Sequence, residues 1–130
     1  MTTARTGTTL SVRRVLPLIA ALLLAGCGQP TEPTKQAEAL DSISSEGLLV
    51  AGNVVARRTT EPFVRVHGKA LAEKARSLEA VAATPRLRSL ADRIADQLED
   101  LAAHPDDRRL ADRVAFRLER ETRVAGELAG

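Results

Sequence analysis

Apolar residues recur every three or four positions from about residue 34 to the end of the chain, and that period admits helices and little else. Leu40, Ile43, Gly47, Val50 and Val54 form a first stripe, widened by Leu48, Ala51 and Val55. Val64, His67, Leu71, Ala75 and Leu78 form a second, in a helix expected to run to about Ala82. Leu87, Ala91, Ile94, Leu98 and Leu101 form a third, and Leu110, Val114, Leu118, Ala125 and Leu128 a fourth. Thr59-Thr60-Glu61-Pro62, Thr84-Pro85 and His104-Pro105-Asp106-Asp107 separate them. Each break supplies a capping hydroxyl or carboxylate and a proline suited to a first helical turn. Short connections make successive helices antiparallel neighbours, so the fold expected is all-α: a small antiparallel bundle of four helices.

Only Phe63 and Phe116 are aromatic, so the core must be built from Leu, Val, Ile and Ala. Gly47 and Gly52 each weaken the first helix by roughly 1 kcal/mol relative to Ala, unless close helix contact requires them. The last two helices repeat at a 20-residue offset, from Pro85, Arg88, Leu90, Ala91 and Asp92 to Pro105, Arg108, Leu110, Ala111 and Asp112. The repeat is read as duplication or convergence on a good helix, with Arg88–Asp92 and Arg108–Asp112 as pairs four residues apart. Three clear repeats would be needed for a solenoid.

Ahead of the helices, residues 1–14 carry Arg5, Arg13 and Arg14 and no acid, and Val15 to Ala25 is an unbroken apolar run. Eleven residues are too few for a spanning helix, which takes about 20, and suit the hydrophobic part of an export signal. The run ends in Leu24-Ala25-Gly26-Cys27, and Cys27 is the one cysteine. These residues resemble a bacterial lipobox. The resemblance implies that the Cys27 thiol takes a diacylglyceryl group and that a signal peptidase cuts before it. It covers about the first 30 residues. On this reading 1–26 is a signal peptide, 27–35 a lipidated Cys with an extended, flexible tether, and 36–130 the bundle. The expected location is the extracytoplasmic face of a membrane in the cell envelope, held by lipid.

Three of the 19 Lys and Arg, and none of the 17 Asp and Glu, precede Cys27, so 16 basic side chains face 17 acidic ones in the mature chain. With neither a net positive field nor aromatic stacking platforms, nucleic-acid binding is not expected. With Cys27 acylated, no disulfide forms.

Residues that bear chemistry are sparse. His67 shares a face with Val64 and Leu71 and reads as packed or half-buried. His104, with Asp100 and Asp107 nearby, reads as a helix end with solvated charges ahead of a metal site. Neither two Glu-x-x-His pairs nor a nucleophile-elbow pattern around a serine is present. No catalytic residue, cofactor or metal is therefore expected. Arg57, Arg58, Phe63 and Arg65 gather basic charge and an aromatic in one stretch and form the candidate surface for an envelope protein partner. The alternative is a carrier of a small apolar ligand or lipid, in a pocket lined by Val50, Val54, Leu71 and Phe63. The plainer reading of the same stretch, and the one preferred on sequence, is an interhelical turn in which Arg57 and Arg58 complement the preceding helix dipole and Phe63 plugs the bundle end.

Overall fold

Proline stands in the first turn of three helices and fixes where each begins, in a computed structural model that describes residues 28–130. The helices are α1 (Pro33–Val55), α2 (Glu61–Ala80), α3 (Pro85–Ala103) and α4 (Arg108–Ala129). Thr84 caps α3 by accepting from the Leu87 N–H at 3.1 Å, and Asp107 caps α4 by accepting from the Leu110 N–H at 3.0 Å. The signal segment, the lipobox residues Leu24, Ala25 and Gly26, and Cys27 lie outside the described residues.

The four helices form an antiparallel bundle in which α1 packs chiefly on α4, and α2 chiefly on α3. The α3 stripe is buried as expected, with Ala91, Ile94, Leu98 and Leu101 fully enclosed, and Leu90 joins them in the core. On α4 the core positions are Ala111, Val114, Leu118 and Ala125, while Leu110 and Leu128 pack at its margin. On α2 Val64, Leu71, Ala75 and Leu78 are buried as expected and His67 is half-buried. Gly68 joins the core beside it, because α2 lies so close to α3 that a Cβ on Gly68 would sit 3.2 Å from that of Ala102. Gly47 plays the same part in α1: a Cβ there would stand 2.6 Å from Leu98 Cδ2 and 3.0 Å from Leu118 Cδ1. Close approach of α1 to α3 and α4 needs a residue without a side chain at this point. Gly52 has open space around it and meets no such need.

The extended segment before the first helix is shorter than expected. Pro33, Thr34 and Lys35 already belong to α1, and the segment before them is held by Gln36. This buried amide donates from Nε2 to the Pro30 carbonyl at 2.9 Å and to the Val81 carbonyl at 2.8 Å, and Oε1 accepts from the Ala83 N–H at 2.8 Å. Every strong hydrogen-bonding position of a buried amide that is used here ties α1 to the chain before it or to the α2–α3 turn. Only Gly28 and Gln29 separate Cys27 from the docked Pro30, a reach of about 10 Å at most. Ser44, the other buried polar residue, donates to the Asp41 carbonyl at 3.1 Å and lies 2.8 Å from Thr122 Oγ1 on α4.

The two intrahelical pairs expected from the repeat do not form, because tertiary acceptors and donors lie closer. Asp92 accepts from Arg76 of α2, and Arg108 turns back to α1.

Candidate contact surface at the far end of the bundle

Antiparallel packing puts the C-terminus of α1 and the N-terminus of α2 at the end remote from residue 28. The 23 residues of α1 separate the two ends by about 34 Å. At the far end α1 closes in a Schellman turn. Arg58 N–H donates to the Asn53 carbonyl at 2.8 Å and Arg57 N–H to the Val54 carbonyl at 3.1 Å. The turn needs a left-handed residue, and Arg57 supplies it at φ 58°, where glycine would be unstrained. The carbonyl of Val55 is satisfied from another helix: Arg108 donates to it through Nε at 3.1 Å and Nη2 at 2.9 Å. Arg108 thus fastens the start of α4 to the end of α1.

Phe63 does not plug the bundle end. It is half exposed and stacks on His67, with ring centroids 5.2 Å apart and planes 20° apart. Asn53, Arg58, Thr59 and Thr60 join Phe63 around an open depression of about 350 Å³. His67 Nε2 lies 3.8 Å from a Glu46 carboxylate oxygen, which places that flank of α1 against that flank of α2. Leu49 falls on α1 between Glu46 and Asn53 and is 69% exposed, and Val66, one turn beyond Phe63, is 70% exposed.

Two of the four candidate residues, Arg58 and Phe63, are therefore brought together around one depression, while Arg57 at the same end of the bundle lines a second with Glu61, Asp106 and Arg108. Arg65 is not with them. At 100° per residue it points some 160° away from Phe63 around α2, toward the flank that meets α3. Leu49, Val66 and Glu46 belong to the surface, although periodicity alone did not single them out. Leu49 carried a signal, since it is a large apolar residue off its helix's stripe.

The pocket expected for a carrier is not assembled. Val50, Val54 and Leu71 are packed in the core at 5% exposure or less, and Phe63 faces outward. His104 and its acids are likewise apart in role: its Nδ1 lies 3.2 Å from the Asp100 backbone carbonyl, while Asp107 caps α4. Among the described residues, no group of three His, Cys, Asp or Glu is placed to hold a metal ion.

Two other surface features have defined geometry. Arg76 reaches four carboxylates, with Asp92 and Asp96 each at 2.6 Å and Glu79 and Glu99 each at 2.8 Å. Hydrogen bonds to Glu99 first, and then to Asp92, Asp96 and Glu79, hold its guanidinium still further above its ordinary protonation range. Phe116, 65% exposed, borders an open depression of about 560 Å³ with Leu48 and Ala115 between α4 and α1.

No protein-family model matches the chain, and no curated protein and no solved structure matches it at a significant level. No helix among the described residues is long and apolar enough to cross a membrane. The functional reading therefore rests on the surface itself. It offers an aromatic, two exposed aliphatics and a cluster of basic side chains, a composition suited to holding another surface.

Proposed function

We propose that this protein is a lipid-anchored component of the bacterial cell envelope that acts by protein contact and not by catalysis. Cys27 attaches it to the extracytoplasmic face of the membrane, and the helical bundle presents a contact surface about Arg57, Arg58 and Phe63. The observation that carries the reading is the exposure of Phe63. The core closes on Leu, Val, Ile and Ala alone, and both aromatic residues of the chain lie outside it. Large exposed apolar side chains beside basic ones are a feature of recognition surfaces. The docked Pro30 supports the same reading, because a short, fixed tether holds the surface at a set distance from the anchor.

Site-specific photo-crosslinking in the producing cell tests it. A photoreactive residue at position 63 should give discrete crosslinked species, and the same residue at position 96 on α3 should give none. Equal yields from the two positions, or none from either, would contradict the proposal. His67→Ala and His104→Ala should leave the pattern from position 63 in place at matched protein levels.

A further inference from the structure

The far half of α1 differs from the rest of the domain. From Gly47 to Ala56 it carries no charge, yet its outer side is open: Leu49, Gly52 and Ala56 are all exposed. Gly52 has nothing within 4 Å of where a Cβ would stand, so another backbone can come close. On the neighbouring flank of α2, Phe63 and Val66 extend the apolar area. Charges of opposite sign bound it, Glu46 at one end and Arg57 with Arg58 at the other. Glu46, Leu49 and Asn53 recur at spacings of three and four along one stripe of the helix, and Arg58, just past its end, lines the same depression as Asn53 and Phe63.

With an acid at one end and a base at the other, the charges are complementary to themselves read backwards. We infer that the occupant of this face is a second copy of the chain, joined across a two-fold axis beside Gly52 with the two α1 helices antiparallel. Residues 46 and 58 are each six positions from Gly52. Glu46 of each copy meets Arg57 and Arg58 of the other, twice over, as an isologous interface requires. In an antiparallel pair, like flanks of the two helices face each other, so Phe63 comes over Leu49 of the second copy. A parallel pair would set Glu46 against Glu46 and Arg57 against Arg57. A bilayer fits the face less well, because the same outer side of α1 carries exposed Glu38 nearer residue 28. An axis normal to the membrane keeps both Cys27 anchors on one bilayer. This inference rests on the contact reading above and names its partner. Few apolar side chains are involved, which suits a weak association strengthened by confinement of both copies to one membrane.

Oxidative crosslinking of the full-length chain in native membranes tests the inference. A Gly52→Cys chain, with Cys27 blocked by lipid, should form a covalent species of twice the chain mass, and an Asp96→Cys chain should not. In the Gly52→Cys background, Glu46→Arg should lower the yield about fivefold, as should Arg57→Glu with Arg58→Glu. Combining the three changes should restore it to within about twofold of the unswapped chain. Repeating the series with Cys27→Ala at raised protein concentration reads dimerisation apart from lipidation. A Gly52→Cys yield no higher than that of Asp96→Cys would overturn the inference, and so would a combined variant that stays as low as the partial ones. Circular dichroism of each variant shows whether it is folded, and the restored combination excludes loss of fold as the cause.

Discussion

The side-chain amide of Gln36 and the backbone carbonyl of Val81, 45 residues apart, are joined by a 2.8 Å hydrogen bond. The same amide serves Pro30 and Ala83, so one buried side chain fixes the start of α1, the chain before it and the α2–α3 turn. Gln36→Leu should lower stability by about 2–3 kcal/mol in denaturant unfolding, because several backbone groups lose their partner at once. Gln36→Glu should not rescue it, since an ionised carboxylate has no proton to donate to two carbonyls. Amide exchange at Ala83 should quicken in the Gln36→Leu chain, which also loses the acceptor of that N–H. Wild-type stability in the Gln36→Leu chain would show that water replaces the amide without loss.

Two glycines ten ångströms or less along one helix should respond in opposite directions. Gly47→Ala places a methyl against Leu98 and Leu118 and should cost about 1–3 kcal/mol, moderated by movement of those side-chain ends. Gly52→Ala enters open space and should gain about 0.5–1 kcal/mol from helix propensity. Thermal unfolding of the two variants measures both signs. Equal effects would mean that α1 does not approach α3 and α4 as closely as the Gly47 contacts require.

Which parts of this fold could be read from the chain follows from the range of the interactions. The α3 stripe was legible because its five large or small apolar residues recur without interruption. On α2 Val64, Leu71, Ala75 and Leu78 were legible in the same way, but the buried Gly68 was not, because a glycine adds nothing to an apolar pattern. The helix start at Pro33 has its signal in the proline itself, but the docking of Pro30 depends on a glutamine whose partners are far along the chain. Arg76, Asp92 and Arg108 illustrate the same limit, since local spacing suggested Arg88–Asp92 and Arg108–Asp112 where long-range geometry offered better partners. At the surface, Arg57, Arg58 and Phe63 were found as a sequence cluster. Arg65 was grouped with them by proximity in sequence, and helical rotation carries it to another flank.

The Schellman turn at the end of α1 contains its own test. Arg57 occupies a left-handed conformation at φ 58° that costs a residue with a Cβ roughly 1 kcal/mol. Arg57→Gly should raise the stability of the folded chain by about 0.5–1 kcal/mol. On the account above it should also weaken association, because Arg57 provides part of the charge that meets Glu46. Stability rising while crosslinking falls would separate a residue kept for contact from one kept for folding. A loss of stability would mean that the Arg57 side chain holds the turn.

Arg76 stands among four carboxylates, leaving the cluster at a net charge of −3. Arg76→Gln should destabilise the domain by about 1–2 kcal/mol at low ionic strength, through repulsion among acids on α2 and α3 that the guanidinium now offsets. The loss should shrink in 1 M salt, where the Debye length falls to about 3 Å. Denaturant unfolding at the two salt concentrations checks this. A deficit independent of salt would point to lost packing of the arginine stem.

The anchored state is the premise on which the contact surface acquires its place in the cell, and the intact mass of the protein recovered from the membrane fraction tests it most directly. The account predicts a chain beginning at Cys27 whose mass exceeds that of residues 27–130 by a diacylglyceryl group, with or without an added acyl chain. It predicts that Cys27→Ala abolishes this species. A membrane-fraction chain that retains residues 1–26, or one cleaved elsewhere with an unmodified Cys27, would contradict it.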